Sequence, residues 1–455
     1  MKNNFSNKKV AILGFGVEGK SVASFLHKHG ADITVLDEAS KQGFDQKEIQ
    51  EYKRKGIKII FGKIPNLSSF DYIFRSPGVP LNHKSLKKIP SEKITSATKL
   101  FFELCPCPII GVTGTKGKGT TATLIYQMLK ESGKQAYLGG NIGAPILDFL
   151  EKLAPSDKVV LELSSFQLQD LHKSPHIAVL LMITSEHLDY HKDVLEYVQA
   201  KRNILASQSE TDFVILNRDY IASRESDVHA NGKVFQVSRF DEVSDGVFIK
   251  DNAIWARLNG VESKITETKD IRLPGGHNLE NAMAAIMVAL LSGIKKKSIV
   301  KVLKTFKGLE HRLEQVRVVK GVLYIDDSFS TTPETAMAAI ESYAQPLILI
   351  LGGSGKNSDF KQLGRLISQK DNIKVIIGIG KEWKRIKSKI RNPKFEIIEN
   401  CKNMKQIVKK AAEIATDGDV VILTPACASF DMFQNYKDRG DQFKNEVNAL
   451  TSHRS

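Results

Sequence analysis

Short, unbroken apolar runs are the feature of this sequence that most restricts its fold. Each run ends at or near a glycine or a small polar residue, and stretches with helical periodicity separate the runs. They comprise residues 10–13, 33–36, 58–61, 108–112, 159–163, 178–183, 213–216, 347–351, 375–379 and 420–423. Strands that are apolar along their whole length are typical of parallel sheets covered by helices on both faces. The pattern predicts an α/β protein with more than one sheet.

Two breaks in this pattern predict the domain organisation. The chain has 455 residues, which at roughly 150 residues per domain corresponds to about three domains. The first break lies near 103–108, where a helical TKLFFEL runs into CPCP, because proline disfavours continuation of a helix. The second lies near 308–314, between the helical stretches 277–291 and 297–305 and the extended VRVVKGVLYIDDS. We therefore expect domains at 1–104, 105–309 and 310–455.

Composition excludes several classes of protein. Hydrophobic residues make up 42% of the chain and charged residues 26%, which is ordinary for a globular protein. The longest apolar runs, 282–291 and 177–183, are shorter than the ~20 residues of a membrane-spanning helix. The first apolar run, 10–13, is too short for a signal peptide. The four cysteines are too few and too scattered for a disulfide framework, so we expect a cytoplasmic protein.

The net charge is the one unusual number in the composition. With 66 Lys+Arg against 51 Asp+Glu, the formal charge is +15. Such an excess is compatible with binding to nucleic acid, to an anionic membrane surface or to small anionic substrates, and equally with a lysine-rich surface that has no function. The basic residues form no long block, which argues against a nucleic-acid-binding arm.

The first glycine motif follows the first strand. It reads Gly14-Phe-Gly16-Val-Glu-Gly19, with Asp37 at the end of the next strand. Glycines at such a turn let the backbone approach a phosphate at the positive end of a helix, and the acid can accept a ribose hydroxyl. The motif alone is compatible with NAD or FAD binding, and equally with a tight turn in a doubly wound sheet.

The second glycine motif is more specific for a nucleotide. Residues 111–120 read GVTGTKGKGT and follow the strand-like run 108–112. A turn of this kind directs backbone N–H groups at phosphate oxygens, and Lys118 can reach the β and γ phosphates. The match to the P-loop pattern is incomplete. Gly119 stands where a hydroxyl residue would bind Mg²⁺, so Thr120 is the nearest candidate.

Polar residues at two further strand ends extend this predicted phosphate site. Glu162 ends one strand and offers the hard oxygen that Mg²⁺ on ATP requires, although it could also be an ordinary surface or capping acid. His187 and Asp189 follow another strand and could bind a second metal or position a carboxylate. Taken one at a time, each is compatible with a purely structural role. Together with Lys118 they indicate a catalytic crevice.

Eight ordered segments support a resemblance to a known family. They are GVTGTKGKGT, ELSSFQL, EHLDYH, LPGGHNLENAMAA, HRLE, DDS, LGGSGK and TPACASFDMFQNYKDRGDQF. In this order they resemble the Mur ligase family over nearly the whole chain. The last two segments resemble the members that join D-glutamate to UDP-N-acetylmuramoyl-L-alanine. The resemblance implies a Rossmann-like N-terminal domain, a central P-loop ATPase domain with a mainly parallel sheet, and a Rossmann-like C-terminal domain.

The resemblance also implies roles for individual residues. It reassigns the first glycine motif to the UDP moiety, with Val17, Glu18, Asp37, Ser76, Pro77, Gly78 and Asn141 as contacts. It places ATP on Gly114, Thr115, Gly117, Lys118, Gly119, Thr120, Asn278, Asn281, Arg312 and Asp327. Two Mg²⁺ sites would use Thr120, Glu162, His187 and Lys201, the last as a carbamate. Catalysis would depend on Lys118, Glu162, His187 and Lys201, and the amino acid would lie on Thr331, Lys356, Ser429 and Tyr436.

The implied reaction is the ATP-dependent formation of an amide through an acyl phosphate in peptidoglycan precursor synthesis. The implied partners are ATP, UDP-N-acetylmuramoyl-L-alanine and D-glutamate, with no nucleic acid, no membrane and a monomeric enzyme. Three positions depart from the family pattern, namely Lys116 for asparagine, Gly119 for a hydroxyl residue, and Phe329 for the lysine of DSKATN. The last removes an expected partner of a substrate carboxylate.

Three alternatives remain on the sequence alone. The first is a Mur-type ligase that adds a different amino acid to a related nucleotide-linked or folate-like acid. The second is a nucleotide-binding protein that has lost catalysis, and the third is an NAD-dependent oxidoreductase based on the first glycine motif.

Overall fold

The computed structural model describes residues 5–41, 44–184, 190–273, 275–355, 358–391 and 393–450. The chain forms two compact units, which divide between Phe306 and Lys307. Each unit is described by itself. The further division of the first unit at 104/105, and the predicted boundary at 309/310, stay predictions.

A five-stranded parallel sheet forms the N-terminal part of the first unit. Its strands are apolar over their length because helices cover both faces, and β1 is buried in four of its five residues. The order is β3-β2-β1-β4-β5, which is the strand order of a doubly wound fold without its sixth strand. The strands are β1 (Lys9–Leu13), β2 (Asp32–Asp37), β3 (Lys58–Phe61), β4 (Tyr72–Arg75) and β5 (Ile94–Thr95), and the helices are α1 (Val17–Lys28), α2 (Gln46–Arg54) and α3 (Ala97–Leu104).

A nine-stranded sheet forms the rest of the first unit. Its order is β14-β13-β12-β11-β10-β9-β6-β8-β7, and only β13 runs antiparallel to its neighbours. Strand β6 lies between β8 and β9, so the carboxyl ends of these three strands meet at one edge. The strands are β6 (Ile109–Thr113), β7 (Ala136–Gly140), β8 (Lys158–Glu162), β9 (Ile177–Leu180), β10 (Phe213–Asn217), β11 (Lys233–Ser238), β12 (Gly246–Lys250), β13 (Ala253–Leu258) and β14 (Val261–Glu267).

Seven α-helices among the described residues of this part accompany the central sheet. They are α4 (Lys118–Glu131), α5 (Leu147–Leu150), α6 (Ser165–Leu168), α7 (Val194–Arg202), α8 (Ile221–Arg224), α9 (Gly276–Leu291) and α10 (Lys296–Thr305). The first turn of α9 packs against the start of α4, where Thr121 bonds to Asn281. A hydrophobic cluster that includes Ile12 and Ile109 is continuous across both sheets of the first unit.

The second unit is a six-stranded sheet in the order β15-β16-β20-β17-β18-β19. All its pairings are parallel except that of β15 with β16. The strands are β15 (Glu314–Val319), β16 (Val322–Asp326), β17 (Leu347–Gly352), β18 (Ile373–Ile379), β19 (Glu396–Ile398) and β20 (Val420–Leu423), and the helices are α11 (Pro333–Glu341), α12 (Lys361–Gln369), α13 (Trp383–Lys387), α14 (Met404–Ile414) and α15 (Tyr436–Asn448).

These sheets confirm the predicted α/β class with mainly parallel strands. The predicted run 178–183 is a shorter strand, Ile177–Leu180, because the chain leaves the sheet to approach the loop before α4. Within the described residues, no helix combines the length and the apolar character needed to cross a membrane. All four cysteines are free thiols.

Candidate active site

The loop between β6 and α4 is built around two glycines that no other residue could replace without strain. Gly114 has φ +153° and Gly117 has φ +86°. A Cβ on Gly117 would lie 2.1 Å from Oδ1 of Asn281. The loop is therefore tight because α9 presses on it, and its backbone ends at the positive N-terminus of a 14-residue helix.

Lys118 folds back over this loop. Its Nζ donates hydrogen bonds to the carbonyl oxygens of Gly114 and Thr115, each at 3.0 Å. Thr115 is held in turn, since its N–H donates to the carbonyl oxygen of Met182 at 2.6 Å, and its hydroxyl lies 3.0 Å from that of Tyr197. The amine of Lys118 therefore lies against the loop. A phosphate oxygen bound there can take the place of the two carbonyl oxygens as its hydrogen-bond acceptor.

Lys201 reaches the same place from α7. Its side chain is buried, at 1% exposure, and its Nζ donates to the carbonyl oxygen of Gly114 at 2.8 Å. It also lies 4.6 Å from the ring centre of Tyr197. Lys118 and Lys201 therefore direct two ammonium groups at one carbonyl oxygen.

Glu162 supplies the anionic side of the site. It ends β8, beside Val112 of β6, and is 5% exposed. Its Oε1 accepts a hydrogen bond from Nδ2 of Asn141 at 3.1 Å, and its backbone oxygen accepts from the N–H of Asn141 at 3.0 Å. Asn141 thus lies beside the predicted metal ligand. Thr120, in the first turn of α4, has a buried side chain.

The two asparagines predicted to contact ATP belong to the first turns of α9. Oδ1 of Asn281 accepts from the hydroxyl of Thr121 at 3.3 Å, and its Nδ2 donates to Oδ1 of Asn278 at 3.2 Å. Together with the close approach to Gly117, these contacts bring both asparagines to the glycine loop.

His187 lies outside the described residues, as do Glu186 and Asp189. The residues that flank this segment are anchored to the predicted sites. The N–H of Thr184 donates to the hydroxyl of Thr115 at 2.9 Å, and the hydroxyl of Tyr190 donates to the carbonyl oxygen of Pro77 at 3.3 Å.

Hydrogen bonds to Asp37 hold the predicted UDP turn. Gly14 has φ +102°, and a Cβ there would lie 2.8 Å from Oγ of Ser76. Asp37 accepts hydrogen bonds from the N–H groups of Phe15 at 2.8 Å and Ala39 at 2.9 Å. Val17, at the start of α1, is 73% exposed. The turn, Asp37 and Ser76 therefore form one edge of the N-terminal sheet, with Pro77 and Gly78 following β4.

Glu18 is a half-buried acid in this turn, and its Oε1 atom is shielded from solvent. Burial raises its pKa to about 7, against the opposing charge of Arg75. Its Oε1 has no hydrogen-bond partner within the part of the chain that the structure describes. Such a carboxyl group can hold a proton near neutral pH and donate to a ligand oxygen.

Asp327 and Arg312 both belong to the second unit, and the charge of Arg312 acts on the Asp327 carboxyl group. Asp327 accepts from the N–H of Leu313 at 3.1 Å, from the hydroxyl of Thr424 at 2.9 Å and from the hydroxyl of Ser330. Burial raises its pKa to about 7, although these donors and Arg312 act in the opposite direction. A carboxyl group of this kind is costly to ionise and is held in one orientation.

Phe329, at the position where the resemblance predicts a lysine, contacts two predicted site residues. The guanidinium of Arg312 lies 4.4 Å from its ring centre, and the ring of Tyr436 meets it edge-on at 5.3 Å. Cation–π contacts of this length hold an arginine over an aromatic face. Phe329 therefore joins a predicted ATP contact to a predicted amino-acid contact.

The rest of the predicted amino-acid pocket is only partly defined. Lys356 lies outside the described residues. The N–H of Thr331 donates to the carbonyl oxygen of Phe329 at 2.8 Å, and Ser429 is buried in the loop after β20. No measured contact joins Thr331 to Ser429 among the described residues.

Sequence reasoning missed Arg439, which supports this loop. Its buried guanidinium donates to Oγ of Ser328 at 2.9 Å, to the carbonyl oxygen of Ser328 at 2.9 Å, and to those of Cys427 at 3.1 Å and Ala428 at 3.3 Å. The only signal in the sequence was its place in the segment KDRG. A charged residue on a polar helix is indistinguishable there from a surface residue.

Comparison with known families accounts for most of the chain. The "Mur ligase MurD-like, N-terminal domain" matches residues 8–96, the "Mur ligase middle domain" residues 112–289, and the "Mur ligase, glutamate ligase domain" residues 311–427. Two relatives, from Acetivibrio thermocellus and Pelotomaculum thermopropionicum, are 40% and 38% identical to this chain. Each match covers 99% of this chain. It covers 98% of the Acetivibrio protein and 99% of the Pelotomaculum protein. Both bear the name UDP-N-acetylmuramoylalanine--D-glutamate ligase.

Solved structures share the fold at lower identity. UDP-N-acetylmuramate-alanine ligase from Thermotoga maritima is 17% identical, with a TM-score of 0.57 over 97% of this chain and 100% of that chain. A MurF ligase from the same organism, solved with ADP, is also 17% identical, with a TM-score of 0.57 over 98% and 99%.

Proposed function

Because this chain belongs to the Mur ligase family, we propose that it joins D-glutamate to UDP-N-acetylmuramoyl-L-alanine with the consumption of ATP. The observation that carries the proposal is the convergence of Lys118 and Lys201 on Gly114. It places two cations at a glycine loop beside a buried carboxylate. That arrangement suits the transfer of a phosphoryl group to an acid.

The chemistry requires an activated acid. A carboxylate does not react with an amine, so its oxygen first attacks the γ-phosphorus of ATP, which yields an acyl phosphate and ADP. The glutamate nitrogen then attacks the acyl carbon and loses a proton, and phosphate leaves as the amide forms. Charge grows on oxygen in both steps, and Lys118 and the loop N–H groups are positioned to stabilise it.

One residue at the end of β8 and one in the first turn of α4 fit Mg²⁺. Glu162 is a buried carboxylate and Thr120 a buried hydroxyl, and hard oxygen donors of this kind are the ligands Mg²⁺ prefers. When bound, Mg²⁺ would neutralise phosphate charge and orient the γ-phosphate. We propose two sites, the first on Thr120 and Glu162 and the second on His187 and a modified Lys201.

We propose that Lys201 acts as a carbamate. Its neutral amine would attack CO₂, form an N–C bond and release a proton, which converts a buried cation into an anion. An intact mass spectrum of the native protein in bicarbonate would carry the added mass of one CO₂, which Lys201→Met would lose. An unchanged mass, with full activity of Lys201→Met, would contradict the modification.

The amino-acid pocket is the part that decides between D-glutamate and the alternative of a different amino acid. We propose Thr331, Lys356, Ser429 and Tyr436 as its contacts. Phe329 favours a different amino acid, because its side chain has no charge with which to bind a substrate carboxylate. Arg312 favours D-glutamate, because its guanidinium lies over the Phe329 ring and keeps a positive charge at this position.

The decisive experiment is phosphate release by the purified enzyme with ATP and UDP-N-acetylmuramoyl-L-alanine. We expect release on addition of D-glutamate and not on addition of L-glutamate, glycine, L-lysine or diaminopimelate. Release with another amino acid but not with D-glutamate would establish the alternative.

We further propose that the protein is a monomer, that it acts in the cytoplasm, and that its domains are 1–104, 105–309 and 310–455. Size-exclusion chromatography with light scattering would test the monomeric state.

A further inference from the structure

Arg75 is a buried cation directly before the predicted UDP turn. It is the last residue of β4, and its side chain is 1% exposed. Its guanidinium donates to the carbonyl oxygen of Val79 at 2.8 Å and to that of Phe166 at 3.2 Å. It also donates to Oδ1 of Asp170 at 2.9 Å and to the hydroxyl of Tyr190 at 3.3 Å.

These partners belong to three parts of the candidate active site. Val79 follows the UDP turn 76–78. Phe166 and Asp170 lie on and just after α6, the helix that follows Glu162. Tyr190 is the first described residue after the segment that includes His187. One side chain thus contacts all three parts within hydrogen-bond distance.

Tyr190 closes this network back onto the UDP turn. It accepts from Arg75 and donates to the carbonyl oxygen of Pro77 at 3.3 Å, while its ring packs 4.1 Å from that of Phe166. Burial raises the pKa of Tyr190, so the hydroxyl keeps the proton that it donates. The hydrogen bonds therefore run from the guanidinium through Tyr190 to the turn.

The network is not needed to hold the two sheets together. The N-terminal and central sheets share one continuous hydrophobic cluster, which includes Val10, Phe101 and Val159. Asp170 pairs with Lys99 at 2.8 Å as well as with Arg75, so the carboxylate retains a cation without Arg75. A buried ion pair contributes little net stability compared with well-packed apolar residues of similar volume.

We propose that Arg75 is a positioning residue that fixes the UDP turn relative to α6, the helix that follows Glu162, with Tyr190 as its relay. The inference rests on the proposed function, because its consequence is the alignment of the substrate carboxylate with the γ-phosphate of ATP. Small misplacements of reacting groups cost large factors in rate. Arg75 acts through its partners and does not touch the reacting atoms.

The test uses Tyr190→Phe, which removes one hydroxyl, and Arg75→Met, which keeps the length of the side chain without its charge. Loss of one such hydrogen bond corresponds to roughly a 3- to 10-fold change. We expect kcat/KM for the UDP-linked acid to fall by about that factor in Tyr190→Phe, and further in Arg75→Met. The KM for ATP and the melting temperature of Tyr190→Phe should match those of the wild type.

The matched control is Tyr137→Phe, which loses a single hydrogen bond with Gln135 in the same unit. It should behave as the wild type in every assay. If Arg75→Met fails to fold, Tyr190→Phe decides alone. Unchanged kcat/KM for the UDP-linked acid in Tyr190→Phe would show that the network has only a structural role.

Calorimetric binding of UDP-N-acetylmuramoyl-L-alanine, without ATP, separates this inference from the proposed function. If the wild type binds the compound but ligates no amino acid, the proposed function is wrong. The positioning role then stands if Tyr190→Phe binds several-fold more weakly, and is overturned if it binds equally well. If the wild type binds no uridine nucleotide, both are wrong.

Discussion

At the scale of single residues, each unit holds polar and charged groups of the predicted sites in defined hydrogen bonds. Lys118 and Lys201 share one carbonyl acceptor, and Glu162 is oriented by Asn141. Asp327 is ringed by donors and still has a raised pKa. In each arrangement, the hydrogen bonds hold the side chain in one orientation.

Replacement of Lys118 by alanine should abolish most ligation. Removal of one positioned donor costs about 10²- to 10³-fold in kcat at comparable sites. Binding of UDP-N-acetylmuramoyl-L-alanine should be nearly unchanged, since the predicted UDP contacts lie elsewhere. Phosphate release and calorimetry would measure the two effects. The control is Lys130→Ala, an exposed lysine in the last turn of the same helix, and ligation by Lys118→Ala at the wild-type rate would refute the assignment of the loop.

Asp327 should make stability depend on pH. Its pKa is about 7 in the folded chain against an ordinary value of 3.8, so the folded state binds the proton more tightly. Its contribution therefore favours folding at low pH and declines as pH rises between these two values, by at most about 1.4 kcal/mol per pH unit. The unfolding free energy, measured with urea from pH 5 to 8, should change less with pH in Asp327→Asn than in the wild type. Exposed Asp371→Asn is the control, and an equal slope in all three proteins would contradict the prediction.

At the scale of elements, function follows from the edge at which parallel strands end. β6, β8 and β9 are neighbours, so the loops after them bring together residues that are far apart in sequence. The sequence predicted these strand ends because continuous apolar runs and glycine turns are local signals. It did not reveal β12 to β14, because β13 and β14 mix polar with apolar residues and so lack the continuous apolar run of the other strands.

The contact between α4 and α9 should be sensitive to one methyl group. Gly117→Ala places a Cβ 2.1 Å from Asn281 in a left-handed backbone, so we expect loss of nucleotide binding and a lower unfolding free energy. Gly133→Ala is a matched control, with φ +81° and no atom within 4 Å of the added Cβ. It should lose only the ~1 kcal/mol of backbone strain. Titration with a non-hydrolysable ATP analogue would compare them, and equal affinities would contradict the steric argument.

At the scale of the whole molecule, two units with separate cores divide the chain. The first contains the glycine loop and the predicted UDP turn, and the second has its own hydrophobic clusters on the two faces of its sheet. The charge of +15 is spread over both, and few of its residues are assigned to substrates. The proposed anionic substrates would account for Lys118, Arg312 and Lys356, and the rest of the excess has no assigned function.

Calorimetric unfolding should therefore show two transitions. UDP-N-acetylmuramoyl-L-alanine should raise only that of the first unit, because a ligand at 100 times its Kd stabilises the folded state by about 2.7 kcal/mol. The isolated transition of the second unit should stay in place. A single transition that shifts as a whole with this ligand would mean that the two units unfold together.

What the sequence determined by itself was the class of fold and the residues at the strand ends. Apolar continuity and glycine torsion act over a few residues, so they can be read without a structure. Tertiary structure decided which groups meet. Phe166 and Tyr190 lie 91 and 115 residues from Arg75 along the chain, and Arg439 reaches Ser328 across 111. A buried charge is stable only where the folded chain supplies its partners, and nothing near Arg75 or Arg439 in sequence specifies which residues those are.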